Sequence, residues 1–452
     1  VHEVGHFLAA RWRGLVVDRF GIWFGKPLWK RKIGDVTYSL GWIPAGGFVA
    51  LPQLAPMEAI EGKNETDRTE LPPISAWDKI IVAFAGPLFS FLLAVVFAVV
   101  VWLIGRPVSE SEITTVIGYV EKGSPAEVAG LRPGDRILEV DGHPVTRFTG
   151  MVDSVVWHVV GSEGEKIPFK VERGGETLMF EAEPVQAKRH GLRRKELRQV
   201  RIEGRMTPVV AEVEAGSPAA AAGLHPGDAI LSVDGEQLLH FARLGELVRA
   251  TPDREFVLGI ERKDGTATEV RVTPVLMDSG EGGTKVPRIG IRWDLTGRPG
   301  LAHPRPFEQI AMSVQTIFNT LDALFSPKSG VKAEHMSGPV GIMNMYYRMF
   351  ESPDGWRLAI WFSVVLNVNL ALLNLLPLPV LDGGHITLAL IEKIRRRPIN
   401  LKVLEAVQTA CVLLLVGFML YVSFFDVQDL PFFDRAGPPA PSPAALPNPP
   451  AR

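Results

Sequence analysis

His2-Glu3-Val4-Gly5-His6 opens the chain and reads H-E-x-x-H. On a helix, positions i and i+4 share one face, so the two imidazoles can grip one metal ion. Glu3 follows the first of them, where a carboxylate can take a proton from water held by that metal. The pentad alone also fits an ordinary pair of helix histidines. What the far end of the chain supplies decides between the two.

At 452 residues the chain is too long for one compact core, and several domains are expected. The net charge of -2 carries no basic bias toward nucleic acid, which is not expected as a partner. A mean hydropathy of +0.15 beside 22% charged residues suggests apolar spans alternating with water-exposed domains. Cys411 is the single cysteine, so there is no intrachain disulfide and no cysteine-built zinc site. Any metal must be held by His, Asp or Glu. Because the pentad begins directly after Val1, the sequence reads as a fragment whose first membrane span is truncated.

Residues 1–13 then look like the last turns of a membrane helix meeting an interface at Arg11 and Arg13. Ionisable groups at that depth are costly and are functional by default. Residues 16–52 read as basic short strands and turns, with Lys26, Lys30, Arg31 and Lys32. Within them Trp42-Ile43-Pro44-Ala45-Gly46-Gly47-Phe48-Val49 is apolar but broken by Pro and paired Gly. It is either a re-entrant membrane hairpin beside the metal site or a soluble β-hairpin turning at Gly46-Gly47. Residues 53–74 read as a polar loop. Residues 80–104 carry no charge and are long enough to span a bilayer, with Gly86-Pro87 inside.

An internal repeat follows. Gly123-Ser124-Pro125-Ala126 and Gly130-Leu131-Arg132-Pro133-Gly134-Asp135 recur as Gly216-Ser217-Pro218-Ala219 and Gly223-Leu224-His225-Pro226-Gly227-Asp228, offset by 93 residues (216 minus 123). Two copies of one β-rich domain are expected. The string resembles tandem PDZ domains of the bacterial protease type, which bind peptide termini by adding a strand to a sheet edge. The candidate edges are Val116-Ile117-Gly118-Tyr119-Val120 and Val209-Val210-Ala211-Glu212-Val213. The basic run 188–201 between the copies reads as a solvated linker.

Residues 306–326 have helical apolar spacing and read as an amphipathic helix on the membrane or on the second repeat. Ser337-Gly338-Pro339-Val340-Gly341-Ile342 reads as a tight turn. Residues 358–380 form a third span containing Asn367, Asn369 and Asn374, broken low down by Pro377 and Pro379. Residues 406–425 form a fourth, and the Pro-rich tail is expected to be disordered. The basic segments 11–32 and 393–402 should both be cytoplasmic, which puts the repeats outside the membrane. A catalytic zinc needs a third protein ligand. Asp382 is the best candidate, because it lies on the same side of the membrane as His2 and His6, with Gly383 and Gly384 allowing close backbone approach. Asn374 can hold a substrate strand or oxyanion, or can instead bond a neighbouring helix. His385 is read as a supporting residue rather than a ligand.

Taken together, His2-Glu3-x-x-His6, Gly41-x-Ile43-Pro44-x-Gly46-Gly47, Ala85-Gly86-Pro87, the two repeat cores, Ser337-Gly338-Pro339-x-Gly341-Ile342 and Asn374-Leu375-Leu376-Pro377-Leu378-Pro379-Val380-Leu381-Asp382-Gly383 resemble the site-2 proteases. These are intramembrane zinc metalloproteases, and the likeness is to the bacterial regulator-of-sigma-E protease group. The resemblance implies that His2, His6 and Asp382 bind Zn2+ and that Glu3 is catalytic. It also implies that Asn374, Pro377, Pro379, Gly46 and Gly47 meet the substrate. The substrates would be single-pass membrane proteins already cut outside the membrane, such as an anti-sigma factor. The setting would be the bacterial inner membrane, with the PDZ pair periplasmic and the active site toward the cytoplasm. Where the family often carries Asn, three residues past Gly86-Pro87, this chain has Ser90. The expected architecture is a multi-domain membrane protein with a four-span α-helical core, a membrane-associated β-hairpin region and two PDZ domains. Its N-terminal membrane region is expected over residues 1–105 and its C-terminal membrane region over residues 357–426. Between them come PDZ domains at 106–186 and 204–280, joined by the linker 187–203, and a connecting region at 281–356. The tail covers 427–452. The rival readings are a non-catalytic membrane PDZ scaffold and a soluble zincin with a membrane anchor.

Overall fold

The computed structural model describes residues 1–54, 71, 74–186, 194–278, 285–352, 354–397 and 401–430. Most of the expected loop 53–74 and tail 427–452, and residues 187–193 of the expected linker 187–203, therefore lie outside the described residues. The chain forms two compact units. One comprises Val1–Arg106, His303–Ile317 and Ser337–Val427, and the other contains Pro107–Ala302 and Phe318–Met336.

In the first unit, α1 (His2–Trp12) is followed by strands β1 (Arg19–Ile33) and β2 (Val36–Ala50) and by α2 (Ala76–Ile104). The chain returns in α3 (Pro306–Phe325), α4 (Pro339–Phe350), α5 (Gly355–Asn374), α6 (Asp382–Arg395) and α7 (Leu401–Gln428). Among the described residues three helices, α2, α5 and Val403–Gln428 within α7, are long and apolar enough to cross a membrane. In α7, Leu413 and Leu414 are 67% and 71% exposed, a cost in water that lipid removes. Ala94, Ala98 and Val101 of α2 pack on Val364 and Val368 of α5, with Ile310 and Val314 of α3 alongside. The third span is shorter than its apolar run suggests. The helix stops at Asn374, because Pro377 and Pro379 cannot supply the N–H groups that would continue it, and residues 375–381 are non-helical.

The β1–β2 element is more than a hairpin. Residues 19–22 pair with 47–50 and also lie beside 37–40, while 29–33 pair with 36–40. The four segments thus run in the order 29–33, 36–40, 19–22, 47–50. The reversal is at Gly34-Asp35, where Gly34 has φ +60°, and Gly46-Gly47 sits inside β2 rather than at a turn. The expected tight turn at 337–342 is a helix start. Gly338 caps α4 and Pro339 occupies its first position, where a missing N–H costs nothing. The carboxylate of Asp426, from the end of α7, accepts from the N–H groups of Gly338 and Gly341 at 2.9 and 3.0 Å. A bond of this kind to a charged group contributes about 1.5–3 kcal/mol.

The second unit holds the repeats, and equivalent residues do the same work in each. Ser124 and Ser217 cap short helices through the N–H of Glu127 and Ala220. Asp135 accepts from the N–H of Arg132 and pairs with Arg173. Asp228 accepts from the N–H of His225 and pairs with Arg262. Asp141-Gly142 and Asp234-Gly235 all have positive φ, the two-residue turn that matches strand twist.

The expected peptide-binding edges are corrected. In the first repeat, β3 (Ile117–Val120) pairs along its length with a strand that arrives later in the chain, β7 (Ile202–Gly204), after the pair β5 (Ile167–Arg173) and β6 (Glu176–Ala182) on β4 (Arg136–Val140). In the second repeat, β8 (Val209–Val213) lies between β9 (Ala229–Val233) and β12 (Ile291–Asp294). The far side carries β10 (Phe256–Glu261) and β11 (Ala267–Val272). The sheet of this second copy therefore runs past the expected boundary at 280. On this side of each repeat the outermost strands are β7 and β12, not β3 and β8, since the Ile117 N–H also bonds the Asp135 carbonyl just before β4; β6 and β11 end the other side. In this unit Ala323, from the far end of α3, packs on Val160 and Val331, which places that half of the helix on the first repeat rather than the second.

Candidate active site

Three helices of the membrane unit build the site. α1 presents His2 and His6 one turn apart, as the i, i+4 spacing requires. α6 presents Asp382 at its first residue. His2 Nε2 lies 3.0 Å from Asp382 Oδ2, His6 Nε2 lies 3.3 Å from Asp382 Oδ1, and the two Nε2 atoms are 3.2 Å apart. The third helix, α2, fixes the rings from behind. His6 Nδ1 donates to the carbonyl of Val82 at 2.8 Å, and His2 Nδ1 is 3.0 Å from Ser90 Oγ.

These contacts decide what the site can hold. A carbonyl only accepts, so His6 carries its proton on Nδ1 and, as a neutral ring, turns a bare Nε2 lone pair inward. That lone pair meets a carboxylate oxygen and a second imidazole nitrogen. Three acceptors aimed at one point repel unless a cation lies among them. Asp382 Oδ2 is a buried oxygen with no hydrogen bond despite its nearness to His2. One ligand atom from each of His2, His6 and Asp382 lies within 4.8 Å of the others, close enough for the three to surround one ion at the ligand distance of zinc, about 2 Å. The residues fit a zinc ion held by two neutral imidazoles and one carboxylate, with a fourth position open.

Glycines make the approach possible. A Cβ on Gly86 would fall 2.2 Å from His6 Nε2 and 2.8 Å from His2 Nε2, so the metal position borders a bare stretch of α2. A Cβ on Gly5 would lie 2.3 Å from the Ala85 carbonyl oxygen, which explains how α1 comes so near. Cβ atoms on Gly383 and Gly384 would strike the carbonyls of Leu375 and Leu378, so the glycine pair lets residues 375–381 fold across the start of α6. Gln408 Nε2 of α7 donates to the Pro379 carbonyl at 3.2 Å and holds that stretch down.

The ligand set opens into a cavity of about 600 Å³. Glu3, Gly46, Gly47, Asn374 and His385 line it, whereas Pro377 and Pro379 do not. The Asn374 side chain makes no hydrogen bond among the described residues. His385 stands outside the cluster formed by His2, His6 and Asp382. A Cβ on Gly47 would sit 3.3 Å from Glu3 Cγ, so the outer segment of the β element runs directly beside the carboxylate. Two supports were not legible as such. The Val82 carbonyl is backbone and carries no side-chain signal. Ser90 stands out only as a hydroxyl on an apolar helix, one of the few polar groups at that depth. Removing it should weaken metal binding: Ser90→Ala is expected to lower zinc affinity about 10-fold, read by chelator competition. Unaltered affinity would reduce Ser90 to a packing residue.

The chain matches peptidase family M50 over residues 1–418. It is 30% identical over 446 residues to a Neisseria meningitidis serogroup A protein named as a zinc metalloprotease, covering 94% of this chain and 95% of that protein. It is 30% identical over 456 residues to the regulator of sigma-E protease RseP of Escherichia coli K12, covering 94% and 95%. Among solved structures, the PDZ domain of an SdrC-like protein from Listeria innocua is 21% identical, covers 19% of this chain and 92% of that one, and has a TM-score of 0.17. With three helices among the described residues long and apolar enough to cross a membrane and a family match over residues 1–418, this protein is a membrane metalloprotease belonging to peptidase family M50.

Proposed function

We propose that the chain is a zinc endopeptidase that cuts the membrane-spanning segment of single-pass proteins, after an earlier cut outside the membrane. An anti-sigma factor would be such a substrate. The observation that carries this is the meeting of His2, His6 and Asp382 against α2, a helix built to cross a bilayer. When bound, zinc supplies Lewis acidity that polarises a carbonyl and acidifies water. Glu3 takes the water proton on its carboxylate and returns it to the leaving amine. The outer segment 47–50 has its far side unpaired among the described residues and borders the cavity, so an unwound substrate adds there as a strand. The free side-chain amide of Asn374 then holds the substrate strand or the oxyanion. The repeats act as PDZ domains that take peptide termini, with β7 and β12 as the available edges. The chain is placed in the inner membrane with the repeats outside and the site toward the cytoplasm, following its basic segments.

The test uses the purified protein in lipid nanodiscs. A tethered single-pass substrate should be cut within its apolar segment, a zinc chelator should abolish the cut, and added zinc should restore it. A casein-like soluble protein should survive. Hydrolysis of casein with the single-pass substrate left intact would favour an anchored soluble-type protease instead.

A further inference from the structure

The metal ligands come from two helices that are far apart in sequence, and neither helix sets its own depth. Both run antiparallel to α2. Along α1, His2 meets Ser90, His6 meets Val82 and Arg13 meets Asp78. Along α6, Asp382 lies at the metal site near Gly86, and Glu392, about 15 Å further down the helix at 1.5 Å per residue, meets Lys79. The lower contacts of both helices fall on three consecutive residues in the first turn of α2. Arg13 Nε and its terminal nitrogen each lie 2.7 Å from Asp78 Oδ1. Lys79 Nζ donates to Glu392 Oε2 at 2.7 Å, and Lys393 Nζ stands 4.0 Å from the centre of the Trp77 ring. The turn itself is fixed by a reciprocal cap, in which Ser75 Oγ accepts from the Asp78 N–H and Asp78 Oδ2 accepts from Ser75.

We propose that this turn, Trp77-Asp78-Lys79, is the hub that sets the depth of α1 and α6 against α2 and so brings Asp382 level with the two histidines. Lys79, Glu392, Asp78 and Arg13 are positioning residues, and the inference rests on the zinc site described above. The chemistry suits the task. A helix that slides by one residue moves its ligand 1.5 Å, most of a zinc–ligand bond. Apolar packing along smooth membrane helices resists such sliding weakly, whereas a paired charge at a fixed point resists it directly. The Lys79–Glu392 pair is 27% exposed on each side, so most of it is shielded from water.

The experiment measures zinc affinity of the full chain by chelator competition, in detergent and without substrate, for Lys79→Glu, Glu392→Lys and the double swap. Each single reversal places like charges together and is expected to lower affinity about 10-fold. The swap re-forms the pair and should return affinity to within about threefold of the parent. Single reversals that keep parental affinity, or a swap no better than either single, would overturn the hub. His2→Ala serves as the reference. If it loses zinc while the reversals do not, the hub alone fails. If it binds zinc as the parent does, the zinc site fails and the hub with it.

Discussion

Asp382→Ala should leave a protein that folds, inserts and binds almost no zinc. Two imidazoles remain, but the carboxylate is the only charged member of the set, and it comes from a different helix from the other two. Changes outside the ligand set typically cost 10–100-fold in affinity. Loss of the anionic ligand itself should exceed about 100-fold, and cleavage should fall below detection. Asp382→Asn separates charge from shape, since it keeps the volume and one acceptor and should recover only a small fraction of the affinity. Metal content per chain and chelator competition are the measurements. An Asp382→Ala protein that keeps a full zinc equivalent would show that the ion is held elsewhere, and the protease reading would lose its centre.

What is legible in the chain follows the range of the forces involved. The pair His2 and His6 can be read because helical spacing is local. The repeats can be read because Pro-Gly-Asp and Asp-Gly each encode a turn that a few residues settle among themselves. The apolar runs can be read because membrane length is a count. Contacts between distant segments are harder. Nothing in Val209–Val213 announces that Ile291–Asp294 will cover it, since strand pairing is decided by whichever edge arrives. Gly338-Pro339 looks like a turn until the carboxylate of Asp426 supplies the partner that makes it a helix start. The third span reads longer than it is because Leu375, Leu376 and Leu378 are as apolar as the helix before them; only the prolines decide that they unwind. Asp382 is legible from Gly383-Gly384 and its side of the membrane, and the structure adds the reason. The glycines let residues 375–381 cross the start of α6 and leave the carboxylate pointing at the histidines.

Glu3→Gln should give the opposite pattern to the loss of Asp382, with full zinc and almost no cleavage. Glu3 is not in the ligand cluster, yet it shares the cavity with it and lies against Gly47. Glutamine fills the same volume there, so the segment 47–50 and the metal ligands should stay in place. What disappears is the proton acceptor. A general base contributes about 10²–10⁴-fold, so the turnover of a tethered single-pass substrate should drop by that factor with its KM little altered. Zinc content should remain one per chain. Glu3→Asp tests reach: it keeps the charge but withdraws it by one methylene, and should retain a small, measurable rate. Cleavage by Glu3→Gln at the parental rate would remove Glu3 from the reaction. A parent protein that binds zinc and peptide termini but cuts no membrane substrate under any lipid condition would instead support the scaffold reading, because its carboxylate would then have no proton to move.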